Sequence, residues 1–284
     1  MKDSKILLKN IYKKRPEWSH KGDFGKVLVI GGSKKYTGAP RLVALAAFAS
    51  GADLVAVAAP RRAADIAAIS PEIITYPLEG DYLSEKDFKY IEKLLGKFDS
   101  VVFGNGLGEK SKKLCQSMWK IKKPCVVDGD ALKFVDRKLG PNFLLTPHAG
   151  EFAILSGEMV SINLEERKKL VKEYAEKFGC TILLKGHIDI ISDGKQVLEN
   201  RTGSPYMTKA GTGDVLAGIC GALLARKIFR GVWAYNISPS ILAAEVGAYI
   251  SGKAGELASK EKGESLLAKD VIGKIKEVVN VNLH

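Results

Sequence analysis

Short, nearly unbroken apolar runs recur along the first two-thirds of the chain. They are Lys26–Ile30, 54–58, Ser100–Phe103, 125–128, Phe143–Leu145 and Thr181–Leu184, most of them closed by glycine and polar residues. Runs without polar alternation predict strands buried on both faces. Between them, helical spacing of apolar residues predicts helices over 41–50, 84–95, 109–120, 150–156 and 164–178, with a short basic amphipathic helix over 4–14. Strands that alternate with helices predict a mainly parallel sheet covered on both faces. After Lys185 the texture changes. Residues 187–192 and 196–199 flank Asp193-Gly194, which predicts an antiparallel hairpin with an Asp-Gly turn. The last eighty residues or so read as helical over 213–226, 240–260 and 266–279. No internal repeat or boundary breaks the pattern, so one domain is expected over 1–284.

Composition adds limits. With 284 residues, 46% hydrophobic and 27% charged, the chain has ample material for a core. The net charge is +12, and ten Lys/Arg against three acids fall in residues 1–35. Such a face attracts polyanions, including nucleotides. No nucleic-acid motif with interleaved aromatics is present, so a solvated basic face is weighed above nucleic-acid binding. The four cysteines, Cys115, Cys125, Cys180 and Cys220, lack metal-ligand spacing and imply no disulfide framework, which fits a reducing compartment. The charged N-terminus has no apolar signal core. Residues 42–60 come nearest to a membrane span, but Gly51 and Asp53 interrupt them, and an alanine-rich helix followed by a strand explains them.

Polar, glycine-rich residues gather at the carboxyl ends of the predicted strands, where open α/β sheets bind ligands. They are 31–37, Gly104-Asn105-Gly106-Leu107-Gly108, Asp128-Gly129-Asp130, Thr146-Pro147-His148-Ala149-Gly150-Glu151 and Lys185-Gly186-His187. The richest stretch is Lys209-Ala210-Gly211-Thr212-Gly213-Asp214-Val215-Leu216-Ala217-Gly218. A helix that starts near Gly213 would aim free N–H groups and its positive end into the turn, a setting for a phosphate or a developing anion. Asp214 beside it suits a general base toward a substrate hydroxyl, or ordinary N-capping. The remaining strand ends are open in the same way. Gly104–108 suits a ligand loop or a tight turn. Asp128 and Asp130 suit turn and cap roles or a carboxylate site for hydrated Mg²⁺. His148 suits a cleft-facing group or a hydrogen-bonded loop residue, and Lys185 a phosphate partner or a solvent-facing gatekeeper.

Taken together, these motifs resemble the ADP/ATP-dependent NAD(P)H-hydrate dehydratases of the ribokinase-like superfamily. The resemblance runs from about His20 to Asp270. It rests on His20-Lys21-Gly22 with Gly25, on 27–33, Gly38-Ala39, 104–108, 128–132, 145–152, 184–186 and 200–205, and on 211–218. Asn105, Gly129 and Ala149 depart from the family's usual Pro, Ala and Pro, and 206–209 is less glycine-rich than usual. The resemblance implies a three-layer α/β/α fold with a mainly parallel central sheet and an antiparallel edge hairpin. It implies no N-terminal epimerase domain. The implied reaction restores hydrated NADH or NADPH to NAD(P)H by phosphorylating the ring hydroxyl and losing phosphate, with ADP or ATP and Mg²⁺ as cofactors. Asp214 is then expected as the base, with Gly211, Thr212 and Gly213 as anion donors. Ala39, Gly106, His148 and Asp214 are expected against the hydrate, and Lys185, Gly186, His187, Ile188, Asp189 and Gly213 against the adenine nucleotide. Lys209 is expected to add positive charge nearby. No direct metal ligand is named. A cytoplasmic homotetramer is expected by analogy with the family, with neither membrane nor nucleic acid as a partner. Two rival functions compete with this one: a small-molecule kinase of the same superfamily, acting on a sugar, vitamin or thiazole alcohol, and a non-catalytic nucleotide or nucleic-acid binder.

Overall fold

A computed structural model describes residues 2–227 and 238–280, with side chains from residue 6 onward. The strands are β1 (Lys26–Ile30), β2 (Leu54–Pro60), β3 (Ile74–Leu78), β4 (Ser100–Phe103), β5 (Cys125–Val127), β6 (Phe143–Leu145), β7 (Thr181–Leu184), β8 (Asp189–Ser192) and β9 (Val197–Asn200). They form one sheet in the order β3-β2-β1-β4-β5-β6-β7-β8-β9. Pairings from β3 to β7 are parallel, and β7–β8 and β8–β9 are antiparallel. The expected hairpin turn is present: Asp193 Oδ1 accepts the Lys195 and Gln196 N–H groups, and Gly194 takes φ +88°.

The buried strands lack polar alternation because each of their faces meets helices. Val27, Val29, Val55, Val57, Val102 and Leu183 point to one side. There they pack on α2 (Ala39–Ala49), α8 (Thr212–Ala225), α9 (Pro239–Lys262) and α10 (Ala268–Val279), with Leu8 of α1 (Lys2–Ile11) and the alanines of α3 (Arg61–Ala68) at the margin. Leu28, Ile30, Val101, Phe103, Val127 and Leu184 point to the other side, against α4 (Phe88–Leu95), α5 (Lys112–Met118), α6 (Ala149–Ser156) and α7 (Leu164–Phe178). The result is the expected three-layer α/β/α arrangement. All four cysteines are buried and unpaired. Among the described residues no helix is long and apolar enough to cross a membrane.

Two elements were not expected. β3 and α3 extend the sheet's far edge beyond β2. β3 carries Pro77 and is only partly buried, as befits an edge strand. The segments 84–95 and 109–120 each open with a short 3₁₀ turn, Glu85–Asp87 and Glu109–Ser111, before the α-helix begins.

His20-Lys21-Gly22 lies at the amino ends of β1 and β2, away from the strand-end glycines. Asp53 Oδ2 accepts the Gly22 and Phe24 N–H groups at 2.9 Å each, and its Oδ1 pairs with Arg15 at 2.8 Å. Arg15 stacks on Phe24, and Arg226 stacks on Tyr12. Part of the basic N-terminal stretch is therefore a structural clasp.

Candidate active site

At the carboxyl ends of the parallel strands, the loops after β1, β4, β5, β6 and β7 meet the first turn of α8. Gly211, at φ +93°, is the residue that caps this helix, and no side chain caps the turn. Asp214 stands in the third helical position, so an N-capping role for it is set aside. The N–H groups of Gly213 and Asp214 fall in the turn that an α-helix leaves without internal partners. Thr212 differs from expectation: its N–H, expected as an anion donor, instead donates to the Lys209 carbonyl at 3.4 Å. Its hydroxyl turns back onto the Met207 and Lys209 carbonyls, 2.9 Å from each, so it braces the loop. The contribution of Lys209 visible here is that carbonyl.

The side chains form a chain of contacts across the strand ends. Lys185, at the end of β7, sits 2.8 Å from Asp128 Oδ1 and 3.8 Å from Glu151 Oε2. Thr146 donates to the same Asp128 oxygen at 2.8 Å. Asn105 Nδ2 donates to Asp128 Oδ2 at 2.8 Å and to Asp214 Oδ1 at 2.7 Å. Gly213 completes the enclosure: a Cβ built there would lie 3.2 Å from Lys185 Nζ and 3.9 Å from Asp128 Oδ2. Asp128 is buried with three partners, and Lys185 is largely enclosed, so the gatekeeper role for Lys185 fails. Asp130 accepts the Gly108 N–H and pairs with Lys133, a turn-and-cap role.

Three carboxylates face one ammonium here. Burial, followed by the nearby Asp128 charge, pushes the Asp214 carboxyl up to about 7, while Asn105 and Lys185 oppose the rise. Burial also raises Glu151, against the pull of Lys185. Burial pulls Lys185 down, but Asp128 and Glu151 outweigh it and hold the ammonium above its ordinary value. The geometry thus keeps a cation fixed beside a carboxyl that changes charge near neutrality.

The expected hydrate-side residues divide into two groups. Gly106, at φ +70°, abuts Ala39 and Tyr36, and a Cβ there would come within 2.8 Å of Tyr36 Cβ. This pair joins Asp214 through Asn105. His148 caps α6 instead: its Nδ1 accepts the Gly150 and Glu151 N–H groups at 3.0 and 3.2 Å. The proton therefore sits on Nε2, which lies 3.6 Å from Glu151 Oε2 on an exposed ring. His148 reaches the cluster through Glu151.

On the nucleotide side, Gly186 and His187 are exposed, and Ile188 and Asp189 are half-buried. Asp189 braces the turn by accepting from Gly186 N–H and from Asn200 Nδ2, both at 2.9 Å. Arg167 of α7 supports the same turn from below by donating to the Ile188 carbonyl at 3.0 Å.

Sequence reasoning did not single out Asn105, Thr146, Glu151 or Arg167 as site residues. The signals available were the position of Asn105 between two strand-end glycines and the presence of Thr146 and Glu151 in the His148 segment. Arg167 looks like any other helix cation until α7 packs beneath β7. Among the described residues no group of three or more acid, histidine or cysteine ligands converges as a metal cage. The Asp128 and Asp214 carboxylates are tied to Lys185 and Asn105.

With that geometry in hand, the chain matches the NAD(P)H-hydrate dehydratase family model over residues 27–277. It belongs to that family. An ADP-dependent (S)-NAD(P)H-hydrate dehydratase of Cenarchaeum symbiosum is 40% identical over 268 residues, covering 89% of this chain and 88% of that protein. A bifunctional NAD(P)H-hydrate repair enzyme of Pyrobaculum aerophilum is 43% identical over 268 residues, covering 92% of this chain and 52% of that protein. The chain spans about half the length of such bifunctional relatives. The ADP/ATP-dependent NAD(P)H-hydrate dehydratase of Bacillus subtilis, crystallised with ATP and Mg²⁺, shares 24% identity at a TM-score of 0.80, over 97% of this chain and 96% of that one. That likeness speaks for the fold, which is the ribokinase-like one expected.

Proposed function

We propose that the chain restores hydrated NADH or NADPH in a nucleotide-dependent dehydration, with Asp214 as the base. One observation carries the reading: the Asp214 carboxyl stands enclosed in the open first turn of α8, where Gly213 abuts the Lys185 ammonium, and burial there pushes its proton affinity up to about 7. A carboxylate of that proton affinity is matched to taking a hydroxyl proton at neutral pH. As Asp214 accepts the proton, the hydroxyl oxygen bonds the terminal phosphorus of the nucleotide, and the bond to the leaving phosphate oxygen breaks. The Gly213 and Asp214 N–H groups and Lys185 would hold the charge that builds on the phosphoryl oxygens. Hydroxide is a poor leaving group, and its phosphate ester is a good one. The ring-nitrogen lone pair expels phosphate, and loss of a proton from the adjoining carbon restores the dihydronicotinamide.

Gly106 and Ala39 would line the hydrate side, with His148 at its rim. Lys185 to Asp189, with Gly213, would line the nucleotide side. Magnesium would enter on the nucleotide's phosphates. A cytoplasmic setting is consistent with four unpaired buried cysteines, and the oligomeric state expected by analogy is a tetramer, which light scattering would measure. A kinase function is not favoured, because the family match extends over 27–277. The test is recovery of dihydronicotinamide absorbance when the protein meets hydrated NADH or NADPH with ADP or ATP and magnesium. Recovery that requires both protein and nucleotide is expected, and its absence with all four combinations would remove the assignment.

A further inference from the structure

Asn105 is held from both sides of its loop. Its carbonyl accepts the Gly32 N–H at 2.8 Å, and Gly104 and Gly106 flank it at φ +120° and +70°. The residue is 1% exposed. Both bonds recorded for its Nδ2 go to carboxylates, Asp128 and Asp214. Its Oδ1 is buried with no hydrogen-bond partner in the structure. An amide whose acceptor end satisfies nothing is unusual in an interior, where polar atoms are paired as a rule. Here the donor end has a specific task. With Oδ1 of Asp214 taken, Oδ2, on the Gly211 side, is the atom left to receive a proton.

We infer that Asn105 is a positioning residue that clamps the Asp214 carboxylate against Asp128 and turns its second oxygen toward the substrate hydroxyl. The inference rests on the reading of Asp214 as the base. Two negative groups packed together repel, and an N–H pair shared between them offsets that repulsion and fixes their orientation. The charged groups facing Asp214 are Asp128 after β5, Glu151 on α6 and Lys185 after β7. Replacing Asn105 leaves Glu151 and Lys185 unchanged but removes its bond to Asp128 as well as the one to Asp214, so a change in Asp214 behaviour reports the amide shared by the two carboxylates. Truncating the side chain also strands no donor, because its Oδ1 accepts none.

The test compares wild type with Asn105→Ala and Asn105→Ser by two readouts. Carbon-13 NMR follows the Asp214 carboxyl against pH in the free protein, its signal assigned by loss in Asp214→Asn. Turnover against pH is measured in parallel. In the alanine variant the Asp214 titration and the acid limb of turnover should both move up by about one pH unit or more, the size of a lost bond to a charged group. Turnover at pH 7 should fall about fivefold or more and recover toward alkaline pH, with nucleotide KM little changed. Serine, which keeps one donor, should shift both by less; it also carries the test if the alanine variant does not fold. An unmoved carboxyl titration, or a loss of turnover uniform across pH, overturns the clamp. A wild-type protein with no turnover at all would fault the dehydratase reading, and the NMR comparison would still decide the clamp.

Discussion

Replacing Asp214 with asparagine removes a charge that the folded chain disfavours, so the variant should be more stable where the wild type is ionised. Folding raises this carboxyl from the ordinary 3.8 to about 7, first through burial and then through Asp128. A group that binds protons more tightly when folded supports the fold fully below 3.8 and loses that support as pH climbs through about 7. At about 1.4 kcal/mol per tenfold change in proton affinity, the support lost reaches about 4 kcal/mol above pH 8, which sets a ceiling on the gain. Asparagine does not ionise, and its Oδ1 still accepts from Asn105. The variant should match wild type near pH 4, pull ahead between pH 4 and 7, and hold a constant lead beyond. Urea unfolding at pH 4, 6 and 8 measures this, with unchanged m values marking a native-state effect. A lead that does not grow with pH, or a variant less stable than wild type at pH 8, would refute the electrostatic account of the site.

Gly213→Ala should leave the melting temperature level or higher, since alanine favours a helix over glycine by roughly 0.5–1 kcal/mol. Its turnover should nevertheless fall about tenfold, because the new methyl, 3.2 Å from Lys185 Nζ, displaces a group whose position matters. Melting scans paired with steady-state rates check both halves. Lys185→Met should lower stability by about 3–5 kcal/mol, by leaving Asp128 buried without its counter-charge, and should weaken nucleotide binding; denaturation and calorimetry measure these. Asp53→Asn should cost about 1–3 kcal/mol through the Arg15, Gly22 and Phe24 contacts. Its kcat/KM should stay at the wild-type value, because the clasp stands at the opposite end of the strands.

The parallel strands were legible because both of their faces are buried, so each reads as a solid apolar run. β3 was not, because an edge strand with half-buried residues and Pro77 carries no such run. α3 was missed because it is only eight residues long and begins directly after β2, with no intervening loop to mark it. The hairpin was placed correctly, but β8 begins two residues later than expected, where Asp189 brackets the preceding turn. At the site, the glycine-rich strand ends marked the cleft and the α8 turn marked its centre. The contacts of Asn105, Lys185 and Asp128 join residues 23 to 109 positions apart. No local spacing encodes such pairs, and they exist only once the parallel register brings the strand ends level. His148 shows the converse: its side chain bonds within its own loop, a use of polar residues that motif reading does not separate from ligand contact.

The most direct measurement is turnover of hydrated NADH by Asp214→Asn beside wild type, with nucleotide affinity measured on the same samples. If Asp214 takes the hydroxyl proton, the variant loses roughly 10²–10⁴-fold in turnover and binds nucleotide nearly as before. Turnover at the wild-type rate with the carboxylate gone would contradict the account at its centre.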